Sequence, residues 1–192
     1  PSYGGLAPEV AIERFKKISG NGAKCTIVCV YGNRAYEDTL VQMEDVAKEC
    51  GFDVIAAVAA VAEHSIMHQY AAGRPDADDE KQLETFAEQI SVKEGTVTSV
   101  PGNRPYKKGG GAGLVPKVTA DCVKCGLCAE SCPVKAIDQH SFKADSKSCI
   151  SCMRCVSQCP HNARKVSGVM VGIVGLALKK ACSLRKENEL YL

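Results

Sequence analysis

Eight of the twelve cysteines lie between Cys122 and Cys159, and they fall into one spacing written twice. Residues 122–133 read Cys-Val-Lys-Cys-Gly-Leu-Cys-Ala-Glu-Ser-Cys-Pro and residues 149–160 read Cys-Ile-Ser-Cys-Met-Arg-Cys-Val-Ser-Gln-Cys-Pro, an internal repeat offset by 27 residues. Three cysteines separated by two residues each let one tight loop offer three thiolates to three iron corners of a cubane, with intervening N–H groups free to bond its sulfides. The fourth cysteine is too far round to close the same cube, and in this spacing it ligates the other cluster. The pattern predicts Cys122, Cys125, Cys128 and Cys159 around one 4Fe-4S cluster, and Cys149, Cys152, Cys155 and Cys132 around a second. Pro133 and Pro160 then turn the chain away from the sulfur. Structural zinc also uses Cys-x-x-Cys pairs, but it wants four tetrahedral ligands from two such pairs, not a triple run with a distant fourth. A disulfide framework needs an oxidising compartment, and no N-terminal stretch has the zones of a signal peptide. Reduced thiols in a cytoplasmic protein are expected.

From Lys117 to about Lys165 the segment resembles bacterial two-cluster 4Fe-4S ferredoxins, including the Cys-Pro-x-x-Ala tails at Ala136 and Ala163. The resemblance implies a small α+β fold in which each half supplies a short hairpin and a short helix, and it implies electron exchange with redox partner proteins. The near-even balance of 24 basic and 22 acidic side chains makes nucleic acid an unexpected partner. An oxidised cubane with four thiolates carries about −2, so two clusters would move the formal net charge from +2 to about −2. Lys124, Lys135, Lys143, Lys147 and Arg154 either offset that charge, dock an acidic partner, or are simply solvated.

The first hundred residues alternate helix and strand. Ala11, Phe15 and Ile18 predict an amphipathic helix, and Lys24 to Tyr31 is a β-branched run bounded by Gly22 and Gly32, too apolar to be half exposed. Tyr36, Leu40, Met43, Ala47 and Cys50 recur at helical spacing up to a Gly51 cap, and a second buried strand is expected at Asp53 to Ala62. Asp76 and Asp78 are N-cap candidates for a helix carried by Leu83, Phe86, Ala87 and Ile90. Helix, strand, helix, strand, helix reads as α/β with parallel strands. Loops at the carboxyl ends of such strands bind ligands. Two of them, Pro1 to Gly5 and Tyr31 to Tyr36, join aromatics to glycines, which suits either an ordinary turn or a flat ligand.

The motifs Pro-Ser-Tyr-Gly-Gly, Tyr-Gly-Asn-Arg-Ala-Tyr, Ala-Glu-His-Ser (62–65) and Ala-Gly-Arg-Pro-Asp (72–76), followed by the two cysteine runs, resemble the fused flavodoxin-ferredoxin electron-transfer proteins of anaerobic bacteria. That resemblance implies a flavodoxin-like α/β domain over 1–92, a linker over 93–116, a two-cluster domain over 117–165 and a C-terminal helix over 166–192. It assigns Tyr3, Gly4, Gly5, Tyr31, Gly32, Asn33, Arg34 and Tyr36 to an FMN ring. The loop that would wrap the FMN phosphate on a helix N-terminus is not in this sequence. The expectation is therefore a partial domain, the C-terminal half of a doubly wound parallel sheet, lacking roughly 50 to 60 residues before Pro1. Its Lys24 to Tyr31 strand should have an unpaired edge, with Ile27 and Val28 facing missing partners. The implied function is electron transfer through the clusters coupled to FMN; the alternative is a flavin-dependent oxidoreductase fed by them.

Glu63, His64, Ser65 and His68 come without a third ligand or nucleophile, as polar residues of a loop or cap do. Gly109 to Gly113 lacks the Lys-Ser/Thr of a phosphate loop and reads as a hinge. Val166 to Leu178 has no charge but is shorter than the ~20 residues of a membrane span, so insertion is not expected. Its stripe of Val166, Val169, Met170, Ile173, Val174 and Ala177 is expected to pack onto one of the domains. Cys25, Cys29, Cys50 and Cys182 read as small buried hydrophobes.

Overall fold

The computed structural model describes residues 1–107 and 113–192. In chain order the elements are α1 (Glu9–Phe15), β1 (Lys24–Tyr31), α2 (Thr39–Glu49), β2 (Asp53–Val61), α3 (Ala77–Ser91), β3 (Lys117–Val118), α4 (Leu127–Glu130), α5 (Arg154–Ser157), β4 (Arg164–Lys165), α6 (Gly168–Cys182) and β5 (Glu189–Tyr191). They divide between two compact units, one made of Pro1–His64, His68–Gly110 and Lys180–Leu192, the other of Ser65–Met67 and Gly111–Lys179. All but the last residue of the expected glycine hinge, Gly109 to Gly113, lies outside the described residues.

In the first unit β1 and β2 pair in parallel from Lys24↔Asp53 to Tyr31↔Val61, the arrangement that a crossover helix between two β-branched runs produces. That helix, α2, buries Leu40, Val41, Val46 and Ala47. It stops at Gly51, whose φ of +81° is a left-handed value that costs glycine nothing. Ile27, Cys29, Tyr31, Val54, Ala57, Ala59 and Val61 complete the core from the strands, and Phe15 stacks on Phe52 at 5.6 Å.

β1 is not buried on both faces, as its apolar run predicts. Ile27 is 5% exposed, but Val28 and Val30 are 47% and 40% exposed, the alternation of a strand with one covered face. In the sheet order β1-β2-β5, β1 is an edge. Ile18 falls beyond α1 and lies in the open.

The sheet is also not purely parallel. β5 adds antiparallel to β2 through Ala57↔Tyr191, Val58↔Leu190 and Ala59↔Glu189, giving a mixed three-stranded sheet instead of half a doubly wound one. The helix expected over 166–192 accordingly ends at Cys182. Its stripe does not pack as expected: Val169 and Ile173 are 75% and 57% exposed. The expected linker is in part structural too. Val97 donates its N–H to the Val54 carbonyl at 2.8 Å, Asp38 accepts from the N–H groups of Asn103 and Lys107, and Arg104 pairs with Glu44 and Asp45.

Side-chain amides hold the last strand in place. Asn188, 5% exposed, accepts from the Val61 N–H at 2.8 Å and donates to Asp79 at 3.0 Å and Gln82 at 2.7 Å. Asn33, 3% exposed, donates to the carbonyls of Cys182 and Leu184. Asp79 meanwhile shares a capping box with Asp76 at the start of α3 and takes a two-pronged bond from the buried Arg74. Arg74 holds the Asp79 carboxyl well below the usual carboxylate range. A depressed folded-state pKa contributes stability that is present above the unfolded value of about 3.9 and lost as pH falls below it. Asp79→Ala should cost about 3–5 kcal/mol, because it strands a buried guanidinium. Amide exchange of β2 and β5 at neutral pH will read this as lost protection, and the wild type should lose protection progressively as pH falls below about 4.

Candidate metal centre

The backbone of the second unit is duplicated along with its cysteines. Lys124, Gly126 and Lys135 have φ of 59°, 84° and 51°, and Ser151, Met153 and Asn162, each 27 positions later, have 53°, 59° and 50°. Left-handed residues between the cysteines, Lys124 and Gly126 in one loop and Ser151 and Met153 in the other, curl each loop into a cup, a backbone form suited to negative charge. Gly126 and Met153 each open a one-turn helix, α4 or α5. A side-chain-bearing residue in that conformation costs about 1–2 kcal/mol. Met153 is 5% exposed, and burying a methionine contributes about 1.5–3 kcal/mol, enough to offset it.

The cups face two cavities. One is lined by Cys122, Cys125, Cys128 and Cys159, the other by Cys132, Cys149, Cys152 and Cys155. Each cavity thus takes three cysteines from one repeat and its fourth from the other. Residues 121–163 match the family model of the 4Fe-4S dicluster domain. No curated protein matches the chain. The dicluster segment supports iron–sulfur electron transfer. Among the described residues no helix is long and apolar enough to cross a membrane.

The Cys-Pro-x-x-Ala tails of the dicluster segment act through their last residue. Ala136 donates its N–H to Cys132 Sγ at 3.3 Å, and Ala163 donates to Cys159 Sγ at 3.2 Å. Each fourth cysteine is therefore oriented by its own repeat while it lines the other repeat's cavity. Antiparallel pairing of β3 with β4 closes the two ends of the segment, and a bridge joins Ile137 to Ala144. Burial pushes the Cys128 and Cys155 thiols up, and Arg164 opposes this at both.

Arg164 escapes the sequence reading, which looked to Lys124, Lys135, Lys143, Lys147 and Arg154; all five of those are exposed, whereas Arg164 is 2% exposed and lines both cavities. A position-by-position comparison of the repeats would have found it. Its counterpart 27 residues earlier is Ile137, equally buried, so a cation stands where the other repeat has an apolar side chain.

The residues assigned to a flavin ring lie in the first unit, and their two loops adjoin at the end of β1. Ser2 donates its N–H to the Val30 carbonyl at 2.9 Å, Thr39 Oγ1 donates to Ser2 Oγ at 2.8 Å, and Asp38 donates its N–H to the Gly5 carbonyl at 3.0 Å. Tyr31 and Tyr36 are core residues, packed edge to face at 5.2 Å, and the Tyr36 hydroxyl bonds Glu189 and Tyr191. Asn33 is taken by the tail, Arg34 pairs with Glu37, and Gly32 backs onto His64 so closely that a Cβ there would lie 2.8 Å from its Cα. Tyr3 is half-buried, Gly4 is exposed and Gly5 is buried against Glu37. Glu63 accepts from the Gly73 N–H at 2.9 Å and meets His68, so it ties a loop together.

Gly126 tests the cup geometry, since a Cβ there would meet nothing within 4 Å and the cost of adding one is conformational alone. Gly126→Ala should weaken its cup by about 1–2 kcal/mol. Iron content should stay at the wild-type level while release of iron to a chelator quickens.

Proposed function

We propose that the chain is a one-electron relay whose eight clustered cysteines hold two 4Fe-4S clusters: Cys122, Cys125, Cys128 and Cys159 on one, and Cys149, Cys152, Cys155 and Cys132 on the other. The pair of cavities with crossed cysteine sets carries this reading. Four sulfurs rim each space, three from one run and a distant fourth from the other, whereas structural zinc takes its four ligands from two Cys-x-x-Cys pairs. The clusters supply one-electron chemistry when bound. The protein supplies ligation, N–H groups from Ala136 and Ala163 that stabilise ligand sulfur charge, and cavity walls of Ile137, Phe142, Met153 and Ala163 that limit water. Cys125 is exposed, which puts the first cavity's rim within reach of a redox partner protein.

A fuller reading couples the clusters to FMN in a flavodoxin-like first unit, and the alternative of a flavin-dependent oxidoreductase depends on the same site. The residues of this chain do not fit the group. Tyr31 and Tyr36 are packed in the core, Asn33 is occupied, and the sequence has no phosphate loop. We read the first unit as a flavodoxin-like body without a working flavin site in this chain, and no electron step is routed through FMN.

Three measurements check the proposal. Anaerobically prepared protein should contain about 8 iron and 8 sulfide per chain; stoichiometric zinc without sulfide would overturn it. Cys132→Ala should damage the cluster on Cys149, Cys152 and Cys155 and spare the other, as read by electron paramagnetic resonance; the reverse pattern would undo the crossing. Titration with FMN should show no tight stoichiometric binding, and saturation at one equivalent would restore the flavin site.

A further inference from the structure

We propose that Arg164 is a shared positioning cation that raises the reduction potentials of both clusters, an inference resting on the two-cluster reading above. Its guanidinium is 2% exposed and belongs to the wall of both cavities. Nη1 donates to the Phe142 carbonyl, while Nε and Nη2 have no partner of hydrogen-bonding geometry. An Arg buried with two unmet donors costs several kcal/mol unless negative charge faces it. The two cysteine sets that line the same cavities supply such charge as thiolates. Cys122, Cys125, Cys128 and Cys159 share one wall with it, and Cys132, Cys149, Cys152 and Cys155 share the other.

A guanidinium keeps its charge at any working pH. Each reduction brings one electron from a low-potential donor, dithionite in the test, and makes or breaks no bond. The added negative charge at either cavity meets the same fixed cation in a poorly solvated wall, so Arg164 favours the reduced form at both sites. In the first repeat the equivalent position is the apolar Ile137. One cation thus serves two cavities where strict duplication would give two or none. β4 fixes it there, since Arg164 lies in register with Val118 and the preceding Ala163 carbonyl accepts from the Thr119 N–H at 2.9 Å.

The test is a potentiometric titration of Arg164→Gln and Arg164→Lys in the full chain, with iron and sulfide measured on the same samples. Arg164→Gln should keep full iron and sulfide while the reduction equilibrium constant of each cluster falls about tenfold, a shift of about 59 mV for one electron. Arg164→Lys should hold both potentials within about threefold of wild type. Full cluster content with unchanged potentials in Arg164→Gln, a shift confined to one cluster, or equal shifts in both variants would overturn the role of Arg164 and leave the two-cluster reading standing. If Arg164→Gln does not load, Arg164→Lys decides: loading with near wild-type potentials supports the cation, and failure to load marks a structural residue and overturns it. Wild-type protein without iron and sulfide would overturn the two-cluster reading and this inference with it.

Discussion

Four thiolates around one small space repel one another, so such a set forms only where a cationic core and inward-pointing amides compensate. In this chain the compensation is divided between the repeats: each cavity receives three cysteines from one loop and a fourth from the other. Neither repeat can complete a site by itself. The left-handed residues at matched positions, the alanine N–H groups aimed at Cys132 and Cys159, and the closure of the ends by β3 and β4 all hold one loop within reach of the other's cavity. The buried apolar residues of this segment are few, chiefly Ala129, Ala136, Ile137, Phe142, Met153 and Ala163. On the two-cluster reading, ligation would supply much of the ordering free energy that a larger apolar core otherwise provides.

The first unit is held by different means. Its sheet of three strands owes its third to a segment of only three residues, Glu189–Tyr191, and polar side chains fix that segment where packing alone would not. Asn188 and Asn33 bond backbone groups whose partners must otherwise be water, and buried polar groups without partners are costly. Asp79 joins the strand to the start of α3 through Asn188 and Arg74.

What the sequence shows in advance follows from how local each signal is. Cysteine spacing is a local geometric constraint, and both cavity sets could be read from it. β1, β2 and α2 announce themselves through β-branched runs, helical periodicity and Gly51. The exposure of Val28 and Val30 could not be read, because an apolar run does not say how many of its faces will be covered. β5 was invisible because its pairing depends on Asn188 reaching Val61 across 127 positions, and no periodicity encodes that. Arg164 resembles one more surface cation when read singly, and only its match to the apolar Ile137 in the other repeat hints at the burial that the pairing of β3 with β4 produces. Tyr31 and Tyr36 carried a loop signature in the sequence, yet β5 draws Tyr36 into the core through Glu189 and Tyr191.

The position of β5 in the chain also sets an order of assembly. A ribosome adds roughly 5–20 residues per second, so the 127 positions between Val61 and Asn188 take roughly 6–25 s to synthesise. Until β5 is made, the edge of β2 that it covers has no partner among the described residues, and an unpaired sheet edge is open to other chains. The segment that carries the eight clustered cysteines is made within the same interval, before the sheet can close. The free edge of β2 is therefore among the last features of this sheet to be covered as the chain is made.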